Sequence, residues 1–191
     1  WPRIFESIMG FNLANTDNTQ IREQMDCVLL VGAFQRLLDI ERNESVLVEE
    51  LGKTLSKYPV VSPTTATKFQ GNKFKNDKRI LQAKSVREIW AADFYRIRGK
   101  LAHGQLNSEY PSIWSLREHL VLSSFLFPLL MKCVLLKGGC YSMTEMDEFI
   151  ENSPVNTQYL WISFSRSGDS FEGVQVLEKT IKNYSHIKHL I

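Results

Sequence analysis

Cysteine is scarce in this sequence, and its placement excludes a disulfide-built fold. The chain has three cysteines, an odd number, and none of them belongs to a CxxC pair. Small secreted domains that depend on disulfides usually carry more cysteines, in even numbers. Cys27 and Cys133 both lie in strongly apolar surroundings. We therefore expect reduced thiols and a cytoplasmic protein.

A marked excess of charge is also missing. The chain has 23 lysines and arginines against 21 acidic residues, so its formal net charge is only +2. This balance argues against a protein that is basic over its whole surface, although it still allows a local basic groove. Hydrophobic residues make up 43% of the chain. That share is ordinary for a globular protein and is enough for a sizeable core.

The longest hydrophobic run is interrupted by polar residues. It extends from Leu120 to Leu136 and contains Ser123, Pro128 and Lys132. A transmembrane helix needs about 20 predominantly apolar residues. A helix that is apolar on nearly every face is typical of the centre of a helix bundle. We interpret this run as a core helix and expect no contact with a membrane.

Helical periodicity dominates the middle of the chain. From Val86 to His103, for example, the apolar residues recur at steps of three and four, which favours a helix over a strand. Similar patterns and end signals predict further helices, giving the set 20–42, 44–57, 86–103, 111–137 and a shorter helix at about 142–151. The sequence therefore predicts an all-α fold, a bundle of four to five helices within residues 17–152.

The two ends of the chain show weaker patterns. Residues 1–16 have the composition of an irregular lead-in. Residues 153–191 form a less regular C-terminal extension, with a short strand predicted at 158–165 and a helix at 173–189. Because the first residue is Trp1 rather than Met, we interpret the chain as part of a longer protein.

The segment RGKLAHG, from Arg98 to Gly104, closes the helix predicted at 86–103. At about 100° per residue, Arg98 and His103 point in different directions on one straight helix. They can act together only if the helix bends or ends between them, or if a second molecule contributes. Gly104 is a common helix stop, which favours a helix end. A second molecule would meet a ridge of small and basic residues, namely Ala92, Arg96, Gly99 and His103.

The residue types in this segment suit the cleavage of RNA. Arginine presents a forked donor that matches phosphate oxygens, and histidine exchanges protons near neutral pH. Together they are sufficient for phosphodiester cleavage by the internal 2′-hydroxyl, which needs no metal ion. On spacing alone, a surface arginine followed by a capping histidine explains Arg98 and His103 better than a catalytic pair does.

The longer segment WAADFYRIRGKLAHGQ resembles the RxxxxH segment of HEPN domains, in particular the Apea-like group. In that pattern an aromatic residue, a two-residue gap and Arg-x-x-x-x-His-Gly close an amphipathic helix. Tyr95, Arg98, His103 and Gly104 fall on it. The apolar run CVLLVGAFQRLLDI is similar to the first helix of the same group, and the resemblance covers roughly residues 20–137.

The resemblance implies a bundle of four or five helices, usually dimeric, with paired Arg and His residues from two protomers in one cleft. It implies metal-independent endoribonuclease activity, with Arg98 and His103 as the catalytic residues. Arg96, Lys100 and Tyr95 are then the expected RNA contacts. Gly99 departs from the pattern, because active members commonly have a polar residue such as Asn there. Many relatives are inactive, or serve as nucleotide-binding or regulatory modules.

Two functions follow as hypotheses. The first is a HEPN-type endoribonuclease of a defence or stress system, such as toxin–antitoxin or antiviral defence, which forms a homodimer through the motif helix. The alternative is a non-catalytic HEPN module for dimerisation, partner docking or nucleotide binding. RNA is the expected ligand of the first and a nucleotide one possible ligand of the second. We expect no cofactor and no metal ion.

A basic stretch from Lys68 to Arg87 is a second candidate for RNA contact. Phe69 and Phe74 alternate with its lysines, as they do in grooves that bind a backbone and stack bases. We interpret this stretch as a solvated linker in preference to such a groove.

Overall fold

The fold is helical throughout the part of the chain that the computed structural model describes, which is residues 1–16, 23–56, 85–104 and 113–142. Helices account for 79% of these residues, and none of these residues forms a strand. The five helices are α1 (Pro2–Ala14), α2 (Glu23–Leu38), α3 (Glu44–Thr54), α4 (Val86–Ala102) and α5 (Leu116–Lys137). The prediction of an all-α fold is confirmed.

The chain divides into two compact units. One consists of Trp1–Lys57 and Arg87–Ser142, and the other of Tyr58–Val86 and Met143–Ile191. All described residues except Ser85 and Val86 belong to the first unit. The short helix predicted after Ser142, the strand at 158–165 and the helix at 173–189 lie outside the described residues.

The prediction of an irregular lead-in over residues 1–16 is wrong, because most of this segment forms α1. The helix packs against α2 along small residues. The Ser7 hydroxyl donates to the Ala33 carbonyl oxygen at 2.8 Å, and a Cβ atom at Gly10 would lie 3.5 Å from the Ala33 side chain. A buried face made of small residues shows no apolar periodicity, which is why the sequence pattern does not reveal it.

The large apolar side chains of α1 point mostly away from the unit. The exposed ones are Trp1, Phe5, Ile8, Met9 and Leu13. Phe11 is different, since its ring stacks on the Phe127 ring of α5 with 4.2 Å between centroids. The helix is therefore fixed by small residues against α2 and by one aromatic contact with α5.

An aromatic cluster joins α2, α4 and α5. The fully buried Phe34 ring lies 6.1 Å from the Trp90 ring, 5.6 Å from the Phe94 ring and 5.6 Å from the Phe127 ring, measured between centroids. Such aromatic pairs contribute roughly 0.5–1.5 kcal/mol each beyond the burial of their area. The α4 stripe predicted as core is buried at Trp90 and Phe94, and it becomes half-buried by Leu101.

Two arginines of α4 fix its direction relative to α3. Arg87, in the first turn of α4, donates to the carbonyl oxygen of Leu55 at the end of α3, at 2.6 Å. Arg96 binds the carboxylate of Glu44, in the first turn of α3, through two hydrogen bonds of 2.7 and 2.6 Å. Because the start of α4 meets the end of α3, and a later turn of α4 meets the start of α3, the two helices are antiparallel.

The start predicted for α5 at Pro111 is wrong, because residues 113–115 are not helical and α5 begins at Leu116. A capping box sets this start. The Ser115 hydroxyl accepts from the Glu118 backbone N–H at 3.3 Å, and the Glu118 carboxylate accepts from the Ser115 backbone N–H at 2.6 Å. This reciprocal pair satisfies two backbone donors. A proline is merely accepted in a first turn and does not by itself fix where a helix begins.

A buried carboxylate organises the segment before α5. One Oδ atom of Asp93 accepts from the backbone N–H groups of Ile113 at 2.9 Å and Trp114 at 3.1 Å. The same oxygen lies 3.2 Å from Nε2 of the buried His119. A carboxylate can only accept, so Nε2 carries the hydrogen. Asp93 thus attaches α4 to the entry of α5.

α5 is one of the core helices, as predicted. Its buried residues include Leu122, Ser123, Leu126, Phe127, Leu130 and Cys133. It contacts both α2 and α3. Among the described helices it also has the length and composition to cross a membrane, with 22 residues and a mean hydropathy of 1.9 over 18 of them. The expectation of no membrane contact stays a prediction.

The three cysteines are free, as their number and spacing indicate. Cys27 and Cys133 are buried, and Cys140 is exposed. Burial raises the pKa of the Cys27 thiol to about 12, so this thiol is unreactive at neutral pH.

Replacing Asp93 with alanine is expected to lower the free energy of unfolding by roughly 2–4 kcal/mol, because two buried backbone N–H groups lose their acceptor. Urea unfolding followed by circular dichroism measures this loss. Glu41→Ala, which removes an exposed carboxylate, serves as the control and should change the value by less than about 0.5 kcal/mol. A similar small change for Asp93→Ala would contradict its structural role.

Candidate functional site

A cleft with a volume of about 520 Å³ opens beside the start of α1 and the ends of α2 and α4. Among the described residues, the charged ones that line it are four arginines and one aspartate, namely Arg3, Arg36, Arg42, Arg98 and Asp39. The remaining lining residues are mostly apolar or small, namely Val28, Leu29, Gly32, Gln35, Ile40 and Ala102. The volume is in the range of small-molecule sites, and the charge favours an anion.

The end of α2 gives the cleft its shape. Asp39 has a positive φ of 57°, a left-handed conformation that aspartate tolerates better than most residues. The Ile40 N–H donates to the Gln35 carbonyl oxygen at 3.1 Å, and the Asp39 N–H donates to that of Arg36 at 3.3 Å, as in a Schellman motif. The reversal lets Gln35 and Arg36 before the turn, and Arg42 after it, line the same cleft.

Arg98 enters the cleft from α4. Its Nη2 lies 3.4 Å from Oε1 of Gln35, and its guanidinium carbon lies 5.1 Å from the centroid of the Tyr95 ring. The second distance is that of a cation–π contact. Within the described residues no carboxylate pairs with Arg98. Tyr95 therefore supports the guanidinium from outside the lining and leaves its charge unneutralised.

The other three arginines differ in how far nearby carboxylates neutralise their charge. Arg3 forms an ion pair with Asp39. Arg36 lies 3.6 Å from a carboxylate oxygen of Glu6, and both side chains are largely exposed, so this pair is weak. Arg42 is exposed and has no carboxylate partner in the described part of the chain. The cleft therefore keeps an excess of positive charge.

His103 lies just beyond the end of α4. Its backbone N–H donates to the Gly99 carbonyl oxygen at 3.2 Å, and Gly104 follows with a φ of 69°. The helix end predicted at Gly104 is thus confirmed. The His103 side chain is exposed. Arg98 and Ala102 lie in the cleft lining. His103 is not among the described residues that line the cleft.

The other predicted RNA contacts lie outside the cleft lining. Arg96 is held in its ion pair with α3, and Lys100 is half-buried in the last turn of α4. The prediction that they contact RNA stays a prediction. Part of the ridge predicted from the sequence cannot contact a second molecule, because Ala92 is buried. Gly99 and His103 remain open, because a Cβ atom at Gly99 would meet nothing within 4 Å.

Sequence reasoning missed Arg3, Arg36 and Arg42. The only signal was weak: two of them bracket the end of α2, and the third lies in the segment interpreted as irregular. Residues 68–84 of the basic stretch lie outside the described residues. Its last member, Arg87, is used to bind the end of α3.

Comparison of the chain with protein-family models, curated proteins and solved structures finds no match. The HEPN resemblance therefore stays a prediction that rests on the residues of the motif. In the described part of the chain no group of three or more His, Cys, Asp or Glu side chains is placed to hold a metal ion. The expectation of metal-free and cofactor-free chemistry also stays a prediction.

Alanine at Gly99 and at Gly104 should have opposite effects on stability. Neither added methyl group meets another atom within 4 Å, so only backbone conformation matters. Gly99→Ala should raise the free energy of unfolding by about 0.5–1 kcal/mol, since alanine is the better helix former. Gly104→Ala should lower it by about 1 kcal/mol, because of the positive φ. Urea unfolding of both variants tests this, and shifts of the same sign would contradict it.

Proposed function

We propose that this protein is a HEPN-type endoribonuclease of a defence or stress system, which cuts RNA without a metal ion at a site shared between two copies of the chain. One observation carries the proposal. The motif arginine, Arg98, is one of four arginines that line a cleft whose described residues include one carboxylate, and the motif histidine, His103, is exposed at the end of the same helix.

The proposed reaction is attack by the 2′-hydroxyl oxygen of a ribose on the adjacent phosphorus. A bond forms between that oxygen and phosphorus, and the bond from phosphorus to the 5′ oxygen of the next nucleotide breaks. The products are a 2′,3′-cyclic phosphate and a free 5′-hydroxyl. His103 of one copy accepts the proton of the 2′-hydroxyl, and His103 of the second copy donates a proton to the leaving oxygen.

Arg98 has the charge that this reaction requires. Negative charge builds up on the phosphorane oxygens in the transition state, and a guanidinium placed there stabilises it. Arg98 has no competing carboxylate within the described residues, and Tyr95 supports its guanidinium at 5.1 Å. A fork that is already oriented loses less entropy when it binds the phosphate.

The proposal predicts RNA cleavage in the presence of a chelator, measured by gel electrophoresis under single-turnover conditions. Arg98→Ala and His103→Ala should each slow cleavage by about 100-fold or more. Lys137→Gln, which removes one exposed charge at the end of α5, should leave the rate unchanged. A substrate with 2′-deoxyribose at the cleavage position should resist cutting.

Two results would contradict the endoribonuclease. One is a wild-type protein that cuts no RNA under these conditions. The other is equal cleavage by the wild type, Arg98→Ala and His103→Ala, which points to a contaminating nuclease. Products that end in a 3′-phosphate from the first time point, without a cyclic intermediate, would contradict the proposed chemistry.

The second candidate is a non-catalytic module that forms a homodimer through the end of α4. The open space at Gly99 and the exposure of His103 favour it, because small residues let two helices approach closely. In this case the same surface binds a second copy of the chain and performs no chemistry.

Light scattering distinguishes this candidate from a monomer. The wild type should have twice the 22.1 kDa mass of the chain, and Gly99→Leu should reduce the mass to that of one chain without lowering the unfolding midpoint. Ser45→Leu, on the exposed side of α3, is the control and should remain dimeric. A monomeric wild type, or a dimeric Gly99→Leu variant, would rule out this interface.

A further inference from the structure

The cleft holds more positive charge than a single reacting phosphate requires. Three arginines line it besides Arg98, and none of them belongs to the motif; they are Arg3, Arg36 and Arg42. Among the described residues of the lining, only Asp39 carries a carboxylate. Guanidinium groups around one cavity repel each other, so a bound anion relieves this repulsion.

These guanidinium groups can turn towards a ligand without breaking a buried interaction. Arg36 and its partner Glu6 are both more than half exposed, at 51% and 64%. Arg42 is exposed and makes no ion pair with another described residue. Arg98 makes a long contact of 3.4 Å with Gln35 and a cation–π contact with Tyr95, and neither of these is an ion pair. Binding a phosphate therefore replaces weak contacts with charge-assisted hydrogen bonds.

The cleft also has an apolar wall, formed by Val28, Leu29 and Ile40. A small inorganic anion has no apolar surface to place against such a wall. A nucleotide does, because its sugar and base present apolar faces next to the phosphate. In a duplex the bases are paired and stacked on each other, whereas in a single strand they are free to contact protein. The wall therefore favours a single strand.

We infer that the cleft is a phosphate subsite for single-stranded RNA, in which Arg3, Arg36 and Arg42 bind phosphate groups adjacent to the one at Arg98. This inference rests on the proposed function, since it takes RNA as the substrate. The three arginines are positioning residues. They hold the strand while the motif residues act on it.

The test is the binding of a fluorescein-labelled, single-stranded 2′-O-methyl oligonucleotide, measured by fluorescence anisotropy at several salt concentrations. This strand has no free 2′-hydroxyl and cannot be cut. Arg42→Gln should weaken binding about tenfold at low salt. It should also make the plot of log K against log salt shallower by about 0.7, which corresponds to one lost phosphate contact. Lys137→Gln removes the same charge outside the cleft and should change neither quantity.

A second variant is expected to strengthen binding. Asp39→Asn removes the carboxylate from the cleft and releases Arg3 from its ion pair, while asparagine still tolerates the left-handed backbone. The oligonucleotide should bind about threefold more tightly. A partly unfolded protein cannot produce this gain.

The subsite is overturned if Arg42→Gln and Lys137→Gln have the same effect, or if Asp39→Asn does not bind more tightly. It is also overturned if inorganic pyrophosphate binds in an Arg42-dependent way and the oligonucleotide does not, since the cleft then takes small anions. Because the probe strand cannot be cut, the two proposals fail separately. Arg42-dependent binding by a protein that cuts no RNA would overturn only the endoribonuclease. Cleavage with Arg42-independent binding would overturn only the subsite.

Discussion

Phe34 is the side chain on which the arrangement of α2, α4 and α5 depends. Its buried ring contacts the rings of Trp90 and Phe94 on α4 and of Phe127 on α5. Full burial of one such side chain contributes about 1.5–3 kcal/mol, which is a large share of the net stability of a small domain. Because α4 carries the motif residues beyond this cluster, the packing of Phe34 also sets where Arg98 meets the end of α2.

Polar contacts add direction to this apolar packing. Asp93 binds the backbone before α5, while Arg87 and Arg96 bind the two ends of α3. Asp93 and Arg87 are buried, and buried polar groups need hydrogen-bond partners, so these two contacts permit few alternative arrangements. The contacts hold α4 along most of its length. Its last turn is more exposed, and residues that act on a ligand are well placed on such an end of a rigid element.

The charge of the cleft lowers the stability of the fold, because four guanidinium groups line it and the described lining has one carboxylate. The Asp39 backbone adds to this, since its positive φ is unfavourable for a residue other than glycine. Arrangements that cost stability and serve no packing role are concentrated at binding sites. The proposed phosphate subsite accounts for the clustered arginines, and the turn at Asp39 both ends α2 and places Arg42 beside the cleft.

The sequence by itself determined that the fold is helical, that α4 ends just before Gly104 and that Trp90 and Phe94 belong to the core, because these features depend on local periodicity and on backbone preference. It missed α1, whose buried face is made of small residues, and it placed the start of α5 at a proline when a capping box decides it. Only the tertiary structure brought Arg3, Arg36 and Arg42 to Arg98 and engaged Arg96 with Glu44. The physical reason is that these side chains come from separate helices and, for Arg42, from the segment between α2 and α3, so their meeting depends on how the helices pack.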